Sequence, residues 1–289
     1  MHALVTGVGG FIGRHLAAAF LGAGWRVTGV LRSAPGVDLP PGLAVVRTDL
    51  REPRGLPDAY DLLVHCAAEI PAHCPDPELL YAGNVAATGK LLEHAAAAGA
   101  RRALYMSSMA VYGPIDAPVV DEQSALKAAD AYGRSKAEGE RLAAAWAARC
   151  TGGAISLRLP GIVGAGSHDN FLSDALAAIR AGRGVAARNP GGLFNNVVHV
   201  DELAAFAVHL AGHMPAGHAA LTLGADEPLP VSDVLARLAA AAGRPLRVEW
   251  KPGEGKSFLI GFERARALGF RPASVADSVA RFGAGTTPA

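Results

Sequence analysis

The chain has 289 residues, of which 51% are hydrophobic, and its formal net charge at pH 7 is +1. This length allows one large domain or two lobes with an ample core. The near-zero charge excludes a strongly basic nucleic-acid or membrane-surface protein. No apolar run reaches the ~18 residues of a membrane span, and no basic segment of the signal-peptide type precedes the first apolar run. We therefore expect a cytoplasmic protein without a membrane or nucleic-acid partner.

The first half of the chain alternates short apolar runs with longer segments of helical periodicity. The predicted strands are residues 3–6, 26–31, 44–48, 61–65, 103–107 and 154–159, and the predicted helices are residues 11–23, 78–98 and 131–150. Alternating strands and helices are typical of an α/β fold with a doubly wound parallel sheet, covered on both faces.

The second half is less regular and predicts a smaller α+β lobe. Helices are expected at residues 171–181, 202–212, 231–242 and 274–282, strands at 197–200 and 246–250, a loop at 182–196 and a frayed tail at 283–289. Asp201 is expected to be the N-cap of the second of these helices. The sheet domain is expected to comprise residues 1–160, with 195–215 returning to it. Residues 161–194 and 216–289 would form the smaller lobe.

A glycine-rich turn follows the first strand, in the run Thr6-Gly-Val-Gly-Gly-Phe-Ile-Gly13. Gly7 allows a tight turn, Gly10 lets a pyrophosphate approach the helix N-terminus, and Gly13 lets the helix pack on the strand. A glycine pattern alone also fits a flexible turn. The strand before it and the helix after it favour a dinucleotide-binding site.

The strand ends that follow carry candidate cofactor contacts. Arg32 stands at the end of the second strand, where an arginine accommodates the 2′-phosphate of NADP and an acidic residue binds the ribose of NAD. We therefore expect NADP, with NAD as the alternative, although Arg32 also fits a surface arginine. Asp49 and Leu50 could contact the adenine, and a plain loop aspartate is equally consistent. The small Ala67 and Ala68 leave room for a dinucleotide at the sheet edge.

Tyr132 and Lys136 are four residues apart in a predicted helix, so their side chains share one face. A nearby ammonium lowers the pKa of a tyrosine from about 10, so that the phenol can exchange protons near neutral pH. A serine of the Ser107-Ser108 pair can hold the same substrate oxygen. A tyrosine and a lysine at this spacing are also common on solvated helix faces.

Several motifs in order resemble the extended short-chain dehydrogenase/reductases, the NAD(P)-dependent epimerase/dehydratase family. Besides the glycine turn and Asp49-Leu50, they are His65-Cys-Ala-Ala68, Asn84-Val85, Ser107-Ser-Met-Ala-Val-Tyr-Gly113, Tyr132 with Lys136, Leu157-Arg-Leu-Pro160 and Val198-His-Val-Asp201. The resemblance implies a Rossmann sheet with a C-terminal substrate lobe. It also implies a homodimer formed through the helices at 78–98 and 131–150.

The resemblance also assigns roles to residues. Ser108 would be the catalytic serine, Tyr132 the acid/base, and Lys136 the group that binds the nicotinamide ribose and tunes Tyr132. The implied cofactor contacts are Gly7, Gly10, Phe11, Ile12, Gly13, Arg32, Asp49, Leu50, Ala67, Ala68, Asn84, Tyr132, Lys136 and Pro160. His199 would be a packing residue rather than a base, and Tyr112, with no lysine four residues later, a structural one.

Departures from the family pattern narrow the chemistry. Met109 and Ala110 replace the acidic residues of the dehydratases after the catalytic serine, which disfavours dehydration because neither transfers protons. Asn195 stands where the nucleotide-sugar epimerases of the family that this chain resembles commonly carry an arginine that binds the diphosphate. Gly161 stands where they often carry an asparagine. Both changes place a nucleotide-sugar substrate in doubt.

Three cysteines, Cys66, Cys74 and Cys150, have no zinc-like spacing, and we expect reduced thiols and no metal site. The leading hypothesis is an NAD(P)-dependent oxidoreductase that interconverts a carbonyl and an alcohol on a small polar, sugar-like substrate. The alternative is a nucleotide-sugar epimerase with tightly bound NAD. A non-catalytic dinucleotide sensor is a third hypothesis, which an intact Ser108, Tyr132 and Lys136 set disfavours.

Overall fold

A computed structural model describes residues 1–34, 36–252 and 257–285 of the chain. The strands assigned there are β1 (His2–Thr6), β2 (Arg26–Leu31), β3 (Ala44–Arg47), β4 (Leu62–His65), β5 (Arg102–Ser108), β6 (Val119–Val120), β7 (Gly153–Leu159), β8 (Gly161–Val163), β9 (Val185–Ala187), β10 (Leu193–Phe194), β11 (Val197–His199), β12 (Gly217–Thr222), β13 (Leu229–Pro230), β14 (Val248–Trp250) and β15 (Leu259–Ile260). The helices are α1 (Phe11–Gly22), α2 (Pro77–Ala97), α3 (Ala131–Ala147), α4 (Phe171–Arg180), α5 (Val200–His213), α6 (Val231–Ala241), α7 (Glu263–Ala267) and α8 (Val275–Ala284), with a 3₁₀ turn at Met109–Tyr112.

The chain divides into two compact units. The first contains Met1–Pro114, Ala125–Leu159 and Ala204–Leu221, and the second contains Ile115–Ser124, Pro160–Leu203 and Thr222–Ala289. No helix within the described part of the chain is both long and apolar enough to cross a bilayer.

The first unit is built on a seven-stranded sheet in the order β12-β7-β5-β4-β1-β2-β3. The strands from β7 to β3 pair in parallel. The chain leaves β1 toward β2 and β3, then returns to the other side of β1 for β4, β5 and β7. The strand order therefore reverses between β1 and β4, and ligands bind at such a switch point, outside the carboxyl ends of the strands. The predicted doubly wound parallel sheet is confirmed.

Burial on both faces explains the apolar character of the central strands. All five residues of β1 and all four of β4 are buried, as expected for parallel strands covered by helices. One core cluster joins Leu4 and Leu63 of the sheet to Leu91 of α2 and Trp146 of α3. This packing fixes α2 and α3 against one face of the sheet, which determines where their polar side chains lie.

The second unit has small sheets around a helical core. The paired strands are β8 with β11, β9 with β14 and β6 with β15, all parallel, and β10 with β13, antiparallel. Helices α4, α6 and α8 bury one apolar face each in a common core cluster, with Leu176, Leu238 and Val279 among its members.

Several predictions in the second half were wrong in detail. Helix α5 begins at Val200, so Asp201 lies in its first turn rather than at its N-cap. The expected loop at 182–196 contains the short strands β9 and β10. Strand β12, which has no clear apolar alternation, was not predicted. Helix α8 continues to Ala284, and residues 286–289 of the expected tail lie outside the described residues.

Candidate active site

The glycine turn after β1 has a geometry that larger residues cannot adopt. Gly7 has a φ of +73°, and a Cβ placed on it would lie 2.8 Å from the backbone nitrogen of Ala67. A Cβ on Gly13 would lie 2.2 Å from the carbonyl oxygen of Gly7. Both contacts are with backbone atoms, which cannot move aside cheaply. The turn, the start of α1 and the end of β4 therefore pack at distances that only glycine permits.

The N-terminus of α1 leaves its amide groups available to a ligand. The N-cap residue, Gly10, makes no side-chain capping bond, and the first turn contains no acidic residue. In contrast, Asp76 caps α2 and Asp130 caps α3 through their carboxylates. Unsatisfied amides at the positive end of a helix, approached through glycines, fit the pyrophosphate of a dinucleotide.

The carboxyl ends of β1 and β4 are joined by a buried hydrogen-bond network. The Thr6 hydroxyl accepts from the backbone amides of Cys66 and Ala67, at 3.1 Å each, and lies 2.8 Å from Nδ1 of His65. Because the hydroxyl already accepts twice, it donates to Nδ1, so Nε2 of His65 carries the proton and donates to Thr88 at 3.1 Å. The network fixes the backbone at Ala67, beside the glycine turn.

Burial lowers the pKa of His65 to about 3, with a smaller contribution from the Lys136 ammonium. The unfolded chain takes up a proton near pH 6.5, and the folded chain does not. The stability due to neutral His65 is therefore complete above pH 6.5 and is lost as the pH falls from there toward 3. We expect a loss of about 1.4 kcal/mol per pH unit over this range from His65.

This expectation is checked by urea unfolding of the wild type and His65→Gln at pH 7, 6 and 5. As the pH falls, the free energy of unfolding should decrease less in His65→Gln than in the wild type, by about 1.4 kcal/mol per pH unit below pH 6.5. The exposed His73, replaced by Gln, is the control and should leave the slope unchanged. An identical slope for His65→Gln and the wild type would contradict the buried neutral state.

Asn84 of α2 is buried and holds two segments together. Its side-chain oxygen accepts from the backbone amide of Glu69 at 2.7 Å, and Nδ2 donates to the Glu69 carbonyl at 3.0 Å. Nδ2 also donates to Ser135 of α3 at 3.1 Å. Asn84 thus fastens the segment after β4 to both long helices, and the protein itself already uses the hydrogen-bonding atoms of its side chain. Its partner Ser135 donates to the Tyr132 carbonyl at 2.8 Å.

Arg32, at the end of β2, forms an ion pair with Glu69. The Arg32 side chain is 63% exposed and the Glu69 side chain 27% exposed. The sequence suggested that the first part of Glu69–Asp76 lines the pocket, but it did not predict the pairing of Glu69 with Arg32. A carboxylate beside Arg32 has opposite consequences for the two cofactors, because it repels a 2′-phosphate and can accept a bond from a ribose hydroxyl.

Asp49, after β3, is held by its neighbour Arg51. The guanidinium bonds both carboxylate oxygens, at 2.6–3.1 Å, and the Arg51 backbone amide donates at 2.9 Å. These bonds lower the pKa of Asp49 to about 2. Leu50 packs against the core cluster of the sheet. The candidate adenine contact is therefore ionised and already engaged within its own loop.

The remaining candidates are placed as follows. Phe11 is buried in the first turn of α1, with its ring edge-on to His15. Ile12 is half-buried and Ala68 is exposed. Pro160 directly follows β7 and opens a segment of the second unit. Its contribution to a cofactor site therefore stays a prediction.

Ser108, Tyr132 and Lys136 converge where β5 ends against α3. The Ser108 hydroxyl lies close enough to the Tyr132 phenol to lower its pKa, and it accepts from the backbone amide of Ala110 at 3.1 Å. Nζ of Lys136, whose residue is 3% exposed, lies 5.6 Å from the centre of the Tyr132 ring. It donates to the Met106 carbonyl at 2.8 Å. The structure therefore brings the three predicted catalytic side chains together.

The sequence predicted a lowered pKa for Tyr132, and this direction is wrong. Burial raises the pKa of Tyr132 to about 12, against the lowering effect of the Ser108 hydrogen bond. The Lys136 ammonium lies over the ring and donates to the Met106 carbonyl. Burial also lowers the pKa of Lys136 to about 8. At neutral pH the phenol is protonated and able to donate a proton.

The fold and the turn define the class of the protein: a dinucleotide-binding α/β protein whose strand order reverses beside a glycine-rich turn. A family model described as the NAD dependent epimerase/dehydratase family matches residues 3–223. The chain belongs to this family.

Known proteins similar to this chain include enzymes with different reactions. The 2′-dehydrokanamycin reductase of Streptomyces kanamyceticus is 30% identical over 259 residues, covering 88% of this chain and 70% of the reductase. The UDP-glucose 4-epimerase of Streptomyces lividans is 26% identical over 279 residues, covering 88% and 84%. A solved structure, MoeE5 in complex with UDP-glucose and NAD, superposes with a TM-score of 0.83 at 27% identity, covering 99% of this chain and 98% of that one. These similarities support an enzyme of this family and leave its reaction open.

Proposed function

We propose that this protein is an NAD(P)-dependent oxidoreductase that interconverts a carbonyl and an alcohol on a small polar substrate. The observation that carries the proposal is the convergence of Ser108, Tyr132 and Lys136 at the end of β5 and the start of α3. All three lie in the unit that contains the glycine turn. The nicotinamide group, when bound, would exchange a hydride with the substrate carbon.

The roles of the side chains follow from their chemistry. Ser108 would hold the substrate oxygen with its hydroxyl. Tyr132 would give its phenolic proton to that oxygen during reduction and take it back during oxidation. The raised pKa of Tyr132 favours the protonated phenol at neutral pH, and therefore favours reduction there. Lys136 would bind the cofactor ribose and stabilise the phenolate that reduction leaves behind.

For the cofactor we propose NADP, with Arg32 as the residue that contacts the 2′-phosphate. The proposal rests on the position of Arg32 after β2 and on its exposure. A bound 2′-phosphate would take the place of the Glu69 carboxylate on the guanidinium. The preference between NADPH and NADH should therefore depend on both members of this ion pair.

We expect Arg32→Ala to weaken NADPH binding by about 10- to 100-fold, the range for a lost charge-assisted hydrogen bond, with a much smaller effect on NADH. Glu69→Gln should instead strengthen NADPH binding relative to NADH. Titration of cofactor fluorescence measures both constants. Arg54→Ala is the matched control, because Arg54 is exposed and paired with Glu52. Equal losses for the two cofactors in Arg32→Ala would contradict the 2′-phosphate contact.

Asn195 supports a substrate other than a nucleotide sugar. Its residue is 2% exposed, and its side chain pairs with the backbone of Ile260, donating at 2.9 Å and accepting at 2.8 Å. The side chain that stands in place of the epimerases' arginine is therefore used to join two segments of the second unit. A neutral buried amide in this role cannot replace a guanidinium on a diphosphate.

The alternative is a nucleotide-sugar epimerase with tightly bound NAD, which the similarity to the Streptomyces lividans enzyme favours. An epimerase recycles its cofactor and would retain it through purification. Dehydration remains disfavoured by Met109 and Ala110.

The proposed function is tested by following NADPH and NADH oxidation over a panel of small keto sugars and other polar ketones and aldehydes. Mass spectrometry of the purified protein is run beside it. Turnover with at least one carbonyl compound, and an unoccupied or exchangeable cofactor, is the expected result. NAD at full occupancy, with UDP-sugar epimerisation and no net cofactor oxidation, would overturn the proposal in favour of the alternative.

A further inference from the structure

Helix α3 meets the end of β5 through a ladder of side chains on one face. Tyr132, Lys136 and Glu140 are spaced by four residues, so they lie one above another along the helix. Each meets a different residue at the end of β5. The pairs are Tyr132 with Ser108, Lys136 with the Met106 carbonyl at 2.8 Å, and Glu140 with the Ser107 hydroxyl at 2.5 Å.

Glu140 is also half of a buried ion pair. Arg158 of β7 binds both carboxylate oxygens, at 2.7–3.2 Å, and its other amino group donates to the Tyr112 hydroxyl at 2.7 Å. Glu140 and Arg158 are each 5% exposed. Removing two charges from water is costly, and apolar residues of similar volume often stabilise a core as well or better. The pair therefore needs a reason beyond stability.

We propose that Glu140 is a positioning residue for the reaction, which keeps Lys136 charged and holds the Ser107–Ser108 strand end against Tyr132. Arg158 and Tyr112 hold Glu140 in place. The inference rests on the proposed function, since Lys136 and Ser108 matter only if they serve the site. Its geometric basis is that Lys136 and Glu140, one turn apart on α3, bond to Met106 and Ser107, which are consecutive residues of β5.

The charge of Lys136 depends on few surrounding groups. Burial is the largest effect and lowers the pKa of the ammonium, while Cys66 and then the Glu140 carboxylate raise it. The titratable groups facing Lys136 from β4, β5, α3 and the segment after β4 are His65, Cys66, Tyr105, Tyr132 and Glu140. Burial keeps His65 neutral and raises the pKa of Cys66 to about 12. Glu140 is thus the only carboxylate among these facing groups.

The test separates the charge of Glu140 from its packing. Glu140→Gln keeps the shape and removes the charge, whereas Glu140→Asp keeps the charge and shortens the side chain. Arg158→Lys is the matched structural control, because it retains the positive charge and loses the fork and the Tyr112 bond. The double variant Glu140→Gln/Arg158→Met removes both charges. It should fold even if Glu140→Gln alone does not, because that single variant leaves the Arg158 charge buried without its carboxylate.

Two readouts are taken on each variant. The first is the titration of Lys136, followed by NMR of protein labelled with ¹³C-lysine and assigned with Lys136→Arg. The second is the pH profile of kcat for carbonyl reduction. We expect the Lys136 midpoint, and the high-pH limb of kcat, to fall by roughly one pH unit in Glu140→Gln and in the double variant. Glu140→Asp and Arg158→Lys should keep the wild-type midpoint, even where kcat is lower.

A Lys136 midpoint in Glu140→Gln equal to that of the wild type would overturn the inference, because the carboxylate would then serve packing alone. An equal shift in Arg158→Lys would overturn it too. The titration does not require a substrate. If it behaves as expected and no carbonyl compound is ever reduced, the electrostatic link between Glu140 and Lys136 is supported, and the proposed function is what fails.

Discussion

Replacing Tyr132 with phenylalanine is expected to lower kcat for carbonyl reduction by about 10²- to 10⁴-fold, the usual contribution of a positioned acid. The ring still fills its half-buried place at the start of α3 and keeps its contact with Lys136, whose Nζ lies 5.6 Å from the ring centre. Cofactor affinity and the free energy of unfolding should therefore change little. Steady-state kinetics, together with NADPH titration and urea unfolding, measure the three quantities.

Tyr60→Phe is the matched control for this prediction. Tyr60 is buried, and its hydroxyl lies near His94 rather than near Ser108. The control should retain wild-type turnover after correction for any loss of folded protein. Turnover of Tyr132→Phe equal to that of the control would exclude the phenol as the acid.

Replacing Gly13 with alanine is expected to weaken dinucleotide binding by about 100-fold, which corresponds to roughly 2.7 kcal/mol. The added Cβ would lie 2.2 Å from the carbonyl oxygen of Gly7 and 2.5 Å from its carbonyl carbon. The start of α1 must then move away from the turn, with a strain of about 1–3 kcal/mol. Cofactor titration and thermal unfolding should both register the change.

Gly22→Ala is the control, on the same helix. A Cβ there meets no atom within 4 Å, and alanine is favoured over glycine within helices. Binding should be unchanged and stability equal or slightly higher. Wild-type cofactor affinity in Gly13→Ala would show that the turn does not hold the pyrophosphate.

The central strands of the sheet were predictable because they are buried on both faces. Strands β1, β2, β4, β5 and β7 are mostly apolar and almost wholly buried, and the predictions for them match within one residue at each end. The second unit was harder to predict, because its paired strands are two or three residues long. Strands this short have no periodicity, and their pairing depends on contacts between distant segments.

In the candidate site, too, contacts between side chains from distant segments could not be predicted from the sequence. The spacing of Tyr132 and Lys136 predicts a shared face, but not that burial would raise the pKa of the phenol instead of lowering it. Glu140 lies one further turn along the same helix, so its place on the same face could be predicted from the sequence. Its partner Arg158 comes from another strand, and no local pattern joins the two. The pairing of Arg32 with Glu69 likewise depends on how β2 and β4 end at one sheet edge.

The central claim is that the group at Ser108, Tyr132 and Lys136 supports hydride transfer to a carbonyl carbon. It is tested most directly with NADPH or NADH carrying deuterium at both C4 positions and a keto compound that the enzyme consumes. Mass spectrometry of the product should show one deuterium on the former carbonyl carbon with the wild type, formed far more slowly with Tyr132→Phe. A product without deuterium, or equal rates of labelling in the two proteins, would contradict the claim.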